Sequence, residues 1–253
     1  MYVEERQQAI LLRARSQGRV DVAELAIDMD VTPETIRRDL TTLERVGVLR
    51  RVHGGAIPIE RLSFEPALST RESVMTAEKE RIAKAALAEL PQDGAILLDA
   101  GSTTGRLADI MPIDRELTVV TNALSIALKL SSLPGISVMI IGGRIRGRTL
   151  AAVDSWALSA LDQTYVSVAF MGANGLSVDR GLTTADPGEA AVKRAMIAAA
   201  RRTVVLADHT KIGNDHFAKF GSLGDIDTLI TDSGLDDRSL HEIESAGPHV
   251  VRA

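Results

Sequence analysis

The strongest constraint on the fold is an alternation of apolar, strand-like runs with helical segments from Thr76 onward. The runs are AILLDA (95–100), LTVVTN (117–122), ISVMIIGG (136–143), VSVAFMG (166–172), TVVLADH (203–209) and DTLITD (227–232). Continuous apolar runs separated by helices are typical of parallel strands that are buried on both faces of a sheet. We therefore predict a mostly parallel α/β domain over residues 76–253.

A shorter region with a different organisation precedes this domain. Glu4–Arg15 places apolar residues in a charged helical frame, and Val22–Met29 has apolar residues at helical spacing. Thr32 fits a helix N-cap, and a proline follows it at the first helical position, where its missing N–H costs nothing. A third helix is therefore predicted from Pro33 to about Val46, with Gly47 ending it.

The third helix has one apolar face and one face of arginines and hydroxyls. The apolar face comprises Ile36, Leu40, Leu43 and Val46, and the opposite face comprises Arg37, Arg38, Thr41 and Arg45. A short helix, a tight turn and a second helix of this kind form a helix-turn-helix, whose second helix lies in the major groove of DNA. The residues that it would present to base edges are Thr32, Glu34, Thr35, Arg37 and Arg38.

A β-hairpin is predicted directly after this helix. Val48–Val52 reads as a strand, residues 53–55 (His-Gly-Gly) can turn tightly, and Ala56–Ile59 would pair back. Such a hairpin is the wing of a winged helix. It would direct Arg50 and Arg51 at the DNA backbone or the minor groove.

The charge of this region contrasts with that of the whole chain, whose formal net charge is -5. The stretch Arg37–His53 contains five arginines and two acidic residues, a net charge of +3. The alternative is a solvated face whose arginines pair within the helix, for example Arg38 with Asp39. Because the cap, the turn, the hairpin and the arginines coincide, DNA binding is favoured.

Length and composition limit the remaining possibilities. A chain of 253 residues suggests about two domains, and the lack of cysteine excludes disulfides and cysteine-based metal sites. The charged N-terminus lacks a secretory segment and no apolar run is long enough to cross a bilayer, so we expect a cytoplasmic protein without a membrane partner. Residues 58–75 lack clear periodicity and are interpreted as a linker between a DNA-binding domain (1–57) and the α/β domain.

The segment VTPETIRRDLTTLERVGVLRRVHGGA resembles the winged helix of the DeoR family of bacterial transcription regulators. The resemblance continues through KERIA, LLDAGSTT, VVTNAL, IIGG, GLTT, EAAVKRAMI and VVLADHTK, which together extend over essentially the whole chain. It implies a repressor of a carbohydrate-metabolism operon, with a winged helix-turn-helix and a Rossmann-like sensor domain similar in fold to ribose-phosphate isomerases. The implied partners are operator DNA and a phosphorylated sugar, with fructose 1-phosphate as the first candidate, and no cofactor is implied.

Polar residues at the ends of the predicted strands indicate where a ligand binds. Ser102–Thr104 offers three hydroxyls at a helix start, which suits a phosphate, although an ordinary hydroxyl cap explains the same residues. The match to the family's GSTT favours binding, Asn122 is placed to bond a sugar hydroxyl, and Lys211 is the preferred counter-charge. The full predicted set is Asp99, Gly101, Ser102, Thr103, Thr104, Asn122, Gly142, Gly143, Asn174, Glu189, Lys193 and Lys211.

Four residues of this region leave alternatives open. Glu189 and Lys193 share a helical face, so an exposed ion pair explains them as well as a ligand role does. Many family members have glycine where Asp154 stands and aspartate where Asn174 stands. If Asp154 faces the ligand, it would repel a phosphate unless one of the arginines at 144, 146 and 148 offsets it.

An enzyme is the alternative to a sensor. Isomerases of the similar fold use a carboxylate base and a lysine, and Asp99, Glu189 and Lys211 are present here. A sensor needs only to bind its ligand, and the fused winged helix favours a sensor, so we predict no catalytic residue and no metal site. One recognition helix reads only a few base pairs, so we also predict a homo-oligomer, a dimer or a tetramer, that assembles through residues 76–253.

Overall fold

A computed structural model describes residues 3–45, 48–58 and 65–253. The N-terminal part begins with three helices, α1 (Val3–Gln17), α2 (Val22–Asp28) and α3 (Pro33–Arg45), and a two-residue strand, β1 (Val20–Asp21), lies between the first two. Strands β2 (Leu49–Val52) and β3 (Gly55–Pro58) complete it. This is the predicted winged helix-turn-helix, with β1 as an additional strand.

The helices pack because their apolar stripes face one another. Ile10, Leu25, Ile36, Leu40 and Leu49 are fully buried in one cluster. Thr32 caps α3 by accepting a hydrogen bond from the backbone N–H of Thr35 at 3.2 Å, and Pro33 is the first helical residue, as predicted. The predicted end of α3 at Val46 and Gly47 lies outside the described residues.

The wing is a small antiparallel sheet in the order β1-β3-β2. Leu49 pairs with Pro58 and Val52 pairs with Gly55 across the hairpin. Gly54 has a φ of +75°, a backbone conformation that glycine adopts without strain. The predicted hairpin is therefore confirmed as far as Pro58, and Ile59 lies outside the described residues.

A seven-stranded parallel sheet forms the centre of the C-terminal region (residues 65–253). Its strands are β4 (Asp93–Leu98), β5 (Glu116–Thr121), β6 (Ile136–Ile140), β9 (Val166–Gly172), β12 (Ala200–Leu206), β14 (Thr228–Thr231) and β15 (His249–Arg252). Their order is β15-β14-β12-β9-β4-β5-β6, and all six pairings are parallel. The six predicted runs are therefore six strands of this sheet, and β15 was not predicted.

Helices cover both faces of the sheet. They are α5 (Thr76–Ala86), α6 (Ser102–Asp109), α7 (Leu124–Leu130), α8 (Ser155–Asp162), α9 (Pro187–Ala198) and α10 (Asp237–Ser245). Successive residues of a strand point to opposite faces. Accordingly, Ile96 and Leu98 enter one buried cluster and Leu97 enters the other.

Two small antiparallel sheets flank the central sheet. β7 (Arg144–Arg146) pairs with β8 (Ala151–Val153), and β10 (Gly175–Ser177), β11 (Gly181–Thr184) and β13 (Ala218–Gly221) form the other. Because these two small sheets are antiparallel, the region is mostly rather than entirely parallel, as predicted. No helix among the described residues is long and apolar enough to cross a membrane.

Part of the segment interpreted as a linker is folded. Residues 65–75 contain a short helix, α4 (Leu68–Glu72), and the backbone N–H of Leu68 donates to the carbonyl of Arg148 at 2.9 Å. Glu65 is 1% exposed. The lack of periodicity in this segment therefore reflects its irregular path against the C-terminal region, while residues 59–64 lie outside the described part of the chain.

Candidate functional site

A small cavity lies at the carboxyl ends of three neighbouring strands, β4, β9 and β12. It is lined by Glu65, Arg71, Ala100, Gly101, Ser102, Thr103, Gly172, Ala173, Asn174, Glu189, Lys193, Leu206, Ala207, Asp208 and Lys211. Ligands of open α/β sheets bind at this edge. Seven residues predicted for the effector line it, namely Gly101, Ser102, Thr103, Asn174, Glu189, Lys193 and Lys211.

The first turn of α6 forms one wall of the cavity. No side chain caps this helix, because its N-cap position is Gly101. The first N–H groups of an α-helix have no partner within the helix, and the helix dipole makes this end attractive to anions. Ser102 and Thr103 line the cavity here, whereas Thr104 is fully buried and its hydroxyl donates to the carbonyl of Gly101 at 3.1 Å.

Two cationic side chains face this turn. Lys211 ends a short 3-10 turn (His209–Lys211) after β12, and no carboxylate of the described residues lies within ion-pair distance of it. Arg71 extends from α4, and its Nε and Nη2 atoms are buried without a hydrogen-bond partner among the described residues. Buried N–H groups without partners are rare in proteins, so they mark a place for an acceptor. Arg71 was not predicted, because it lies in the segment interpreted as a linker.

A third cationic residue, Lys79 of α5, lies near Arg71 and Lys211. It borders a second cavity of about 100 Å³, which Arg71, Asp208 and Lys211 also line. Burial lowers the pKa of Lys79 to about 8, which the positive charges of Lys211, Arg71 and Arg106 reinforce and Asp208 opposes. The motif KERIA contains this lysine, but its spacing alone does not distinguish it from an exposed helical residue.

Glu65 fills the opposite side of the cavity. Its carboxylate accepts from the amide of Asn174 at 2.9 Å, lies 3.2 Å from Nη1 of Arg71, and pairs closely with Arg146 of β7. Burial acts to raise the pKa of Glu65, but Arg71, Asn174 and Arg146 outweigh it and hold the pKa below its ordinary value. The carboxylate is therefore ionised and tightly held.

Glu189 and Lys193 are buried and do not form the exposed pair that their spacing suggested. Glu189 accepts from the hydroxyl of Thr149 and from Arg146, and burial, together with the charge of Glu65, raises its pKa. Lys193 pairs with Asp99 and donates to the carbonyl of Gly172 at 3.0 Å. Asp99 does not line the cavity and instead holds Lys193 from behind.

Besides Asp99 and Thr104, three further predicted residues do not line the cavity. The side chain of Asn122 is 2% exposed because its amide donates to the carbonyl of Ala152 at 3.1 Å and its oxygen accepts from the N–H of Ala100 at 3.2 Å. This residue therefore joins β8 to the segment after β4 and does not line the cavity. Gly142 and Gly143 precede β7 outside the cavity, and at Gly143 a Cβ would lie 2.5 Å from a backbone oxygen, so this glycine serves packing.

Asp154 also lies outside the cavity. Its carboxylate pairs with Arg144 at 2.6 Å on the surface, beside the exposed Trp156. Arg146 and Arg148 do not face it, since both contact Glu65. The arrangement in which Asp154 would repel a bound phosphate is therefore not present.

The arginines at the start of α3 are exposed. The side chains of Arg38 and Arg37 are 82% and 53% exposed, and they approach Glu34 at 3.9 and 3.4 Å. Exposed pairs of this kind are weak and exchange readily for another anion. Arg38 does not pair with Asp39, because Asp39 is buried against Arg6 at 2.6 Å.

The two arginines of the wing have different surroundings. Arg51 is exposed, its guanidinium donates to the hydroxyl of Thr41 at 3.2 Å, and its backbone N–H donates to Glu44. Arg50 is turned toward the C-terminal region, where it pairs with Asp215. In this conformation only Arg51 is free to meet a DNA backbone.

Among residues 3–45, 48–58 and 65–253, no group of three or more His, Asp and Glu side chains could hold a metal ion. The polar side chains that line the cavity carry hydroxyls, an amide and opposite charges, which bind polar ligands through hydrogen bonds and ion pairs. The cavity is suited to an anion, and the exposed face of α3 is suited to nucleic acid.

Comparison with known proteins agrees with this division. A profile described as the DeoR-like helix-turn-helix domain matches residues 6–61, and one described as the DeoR C terminal sensor domain matches residues 74–233. The chain is 38% identical to the HTH-type transcriptional regulator GlpR of Haloferax volcanii over 98% of this chain and 96% of that one. It is 30% identical to the glycerol-3-phosphate regulon repressor of Escherichia coli over 90% of both chains.

Among solved structures, ribose 5 phosphate isomerase A of Neisseria gonorrhoeae is similar over 57% of this chain and 55% of that one. The identity is 16% and the TM-score is 0.40, so no argument on chemistry follows from it. The full-length similarity is to regulators, and the interpretation as an enzyme is not supported. This chain belongs to the DeoR family of transcription regulators and is a DNA-binding regulator with a winged helix-turn-helix and an α/β sensor domain.

Proposed function

We propose that the protein represses a carbohydrate operon and leaves its operator when a phosphorylated sugar binds in the cavity at the end of β4. The observation that carries this proposal is the position of Arg71. Within the described part of the chain, its buried Nε and Nη2 atoms have no hydrogen-bond partner. Arg71 lines the cavity together with an uncapped helix start and with Lys211, which has no carboxylate partner among the described residues. A phosphate offers the acceptor oxygens and the negative charge that this combination of donors lacks.

The DNA side of the proposal rests on α3 and the wing. Thr32, Glu34, Thr35, Arg37 and Arg38 would meet base edges, and Arg50 and Arg51 would meet phosphates or the minor groove. The exposure of Arg37 and Arg38 and the reach of their side chains support this division. A protein that binds operator DNA in this way would act in the cytoplasm.

Two ligands are the first to be tested. Fructose 1-phosphate is the candidate that the family resemblance suggests, and the name of the glycerol-3-phosphate regulon repressor suggests glycerol 3-phosphate. Both carry a phosphate monoester on a small polyol. They therefore share the group that the cavity is proposed to bind and differ in the part that would confer specificity.

A homo-oligomer, a dimer or a tetramer, is part of the proposal. α7 and the edge strand β6 expose large apolar side chains, with Leu128 76% and Met139 58% exposed. An edge strand beside apolar residues is a natural surface for pairing with a second copy. Two-fold pairing would present two recognition helices about 34–36 Å apart, or a multiple of that distance. Sedimentation of Leu128→Arg beside the wild type tests whether this face assembles the protein.

Calorimetry and operator release together test the effector site. Fructose 1-phosphate or glycerol 3-phosphate should bind the full chain and release fluorescent operator DNA, whereas the unphosphorylated sugar should do neither. Ser102→Ala combined with Thr103→Ala should weaken binding, and Lys84→Gln, an exposed change on α5, is the matched control. Equal affinity for sugar and sugar phosphate would refute the site.

A further inference from the structure

Glu65 has the contacts of a bound anion rather than those of a surface residue. Arg146 and Asn174 donate to its carboxylate, Arg71 forms an ion pair with it at 3.2 Å, and its backbone carbonyl accepts from Arg148. Its side chain is 1% exposed. Such charge-assisted contacts are the ones that a protein uses to hold a carboxylate or phosphate ligand.

The cavity beside Glu65 is too small for the proposed ligand. Its free volume is about 30 Å³, which is room for about two water molecules. Pockets for small molecules begin at about 300 Å³. A sugar phosphate therefore enters only if part of the wall moves.

The segment that carries Glu65 is the part of the wall best placed to move. α4 has five residues, and its first backbone N–H is held by the carbonyl of Arg148. Arg71 on this helix separates the cavity from the second cavity of about 100 Å³ beside Lys79. Displacement of residues 65–72 would join the two spaces, whereas most of the other walls are strand ends and the longer helices α6 and α9.

Repulsion between a bound phosphate and the Glu65 carboxylate would favour this displacement. A phosphate dianion at the start of α6 would share Arg71 with Glu65, and two like charges on one guanidinium repel each other. Glu189 is also buried near Glu65, whose charge raises the pKa of Glu189. Removal of the Glu65 carboxylate would leave Arg71 and Arg146 to the ligand and relieve Glu189.

We infer that Glu65 is an internal competitor of the effector, which occupies the anion-binding arginines in the ligand-free protein and is expelled by the phosphate. Residues 65–72 follow the wing in the chain, so their release loosens the connection between the sensor domain and the winged helix. A ligand shifts a conformational equilibrium only through its different affinity for the two states, and expulsion of Glu65 supplies that difference. This inference rests on the proposed function.

Hydrogen exchange of the full-length protein distinguishes this inference from the proposed function. With saturating fructose 1-phosphate, or with inorganic phosphate as a minimal probe, the amides of Ser102 and Thr103 should exchange more slowly because they bind the ligand. The amide of Leu68 should exchange faster, because its hydrogen bond to Arg148 is lost when Glu65 leaves. Slower exchange at 102–103 without faster exchange at Leu68 overturns the inference and leaves the proposed function standing. No slowing at 102–103 with either probe, or with glycerol 3-phosphate, overturns both.

A charge-removing variant provides an independent test. Glu65→Gln keeps the shape of the side chain but competes poorly for the arginines, so inorganic phosphate and fructose 1-phosphate should bind about tenfold more tightly. Glu72→Gln, at the end of the same helix, should bind as the wild type does. An affinity of Glu65→Gln equal to or weaker than that of the wild type, with unfolding still cooperative, contradicts the competitor role. If the variant fails to fold, the exchange pattern of the wild type decides.

Discussion

Arg50 of the wing is held by Asp215 of the sensor domain. The pair is largely buried, with side-chain exposures of 22% and 9%, and the other oxygen of Asp215 accepts from the hydroxyl of Ser177 at 2.6 Å. Asp215 lies four residues after Lys211, and Gly213 between them lies so near the wing that a Cβ on it would be 2.8 Å from the Cβ of His53. One short segment, residues 211–215, therefore extends from the cavity at the end of β4 to the DNA-binding domain.

The Arg50–Asp215 pair predicts an effect of Asp215→Asn on DNA binding. The amide binds a guanidinium less strongly than a carboxylate does, so Arg50 becomes available to a DNA phosphate. We expect tighter operator binding at low salt and a salt dependence that is steeper by about one counterion. Titration of operator DNA at several salt concentrations measures both quantities. The control is Asp179→Asn, which changes an exposed carboxylate in the cleft that Arg50 and Asp215 also line. An unchanged salt slope for Asp215→Asn would show that Arg50 is not released.

The recognition helix and the wing should contribute differently to operator binding. Arg38→Ala should cost about 1–3 kcal/mol on the preferred operator and relax the preference at one base position. Arg51→Ala should weaken binding to all sequences more evenly, because contacts to phosphates carry no base information. Binding to the operator and to single-base variants at one salt concentration tests this. Identical specificity profiles for the two variants would contradict the assignment.

The sequence predicted the sheet because fully buried parallel strands consist of continuous apolar runs, such as ILL at 96–98. β15 was missed because HVVR (249–252) has only two apolar residues. The cavity was only partly predicted. Residues directly after strands were found, whereas Glu65 and Arg71 were missed, because contacts with distant residues place them there.

Asn122 illustrates the opposite case, a residue that was predicted for the site but does not line the cavity. A polar residue at the end of a strand suggests a ligand contact, but the sequence does not reveal that its side-chain amide bonds the backbone of Ala100, after β4, and of Ala152, in β8. The same holds for Arg50, whose partner is 165 residues away. Long-range polar contacts of this kind leave no periodic trace in the sequence.

Asp154→Gly should stabilise the protein. Asp154 has φ +77° and ψ -167°, a region that is essentially restricted to glycine and costs other residues about 1–3 kcal/mol. Its exposed pair with Arg144 offsets little of this strain. Part of the gain is lost because glycine makes the unfolded chain more flexible, so we expect a rise in Tm of a few degrees.

Thermal unfolding of Asp154→Gly, with Asp154→Asn as the control that keeps the strained backbone, tests this expectation. Because Asp154 lies outside the cavity, phosphate affinity should be unchanged in both variants. A lower Tm for the glycine variant would show that the backbone here is not strained, and altered phosphate binding would show that the residue communicates with the site.

We expect Lys79 to take up a proton when the proposed effector binds. Burial, reinforced by Lys211, Arg71 and Arg106 and opposed by Asp208, lowers its pKa to about 8. An unfolded lysine titrates near 10.4, so between about pH 8 and pH 10 the unfolded chain binds more protons, and this group makes the free energy of unfolding rise with pH.

A phosphate dianion beside these cations favours the charged form of Lys79 and raises its pKa. Binding near pH 8.5 should therefore take up a fraction of a proton, which calorimetry in buffers of different ionisation enthalpy measures. The control is Lys79→Met, in which the uptake should vanish even if phosphate still binds, and uptake that persists in this variant would assign the proton to another group.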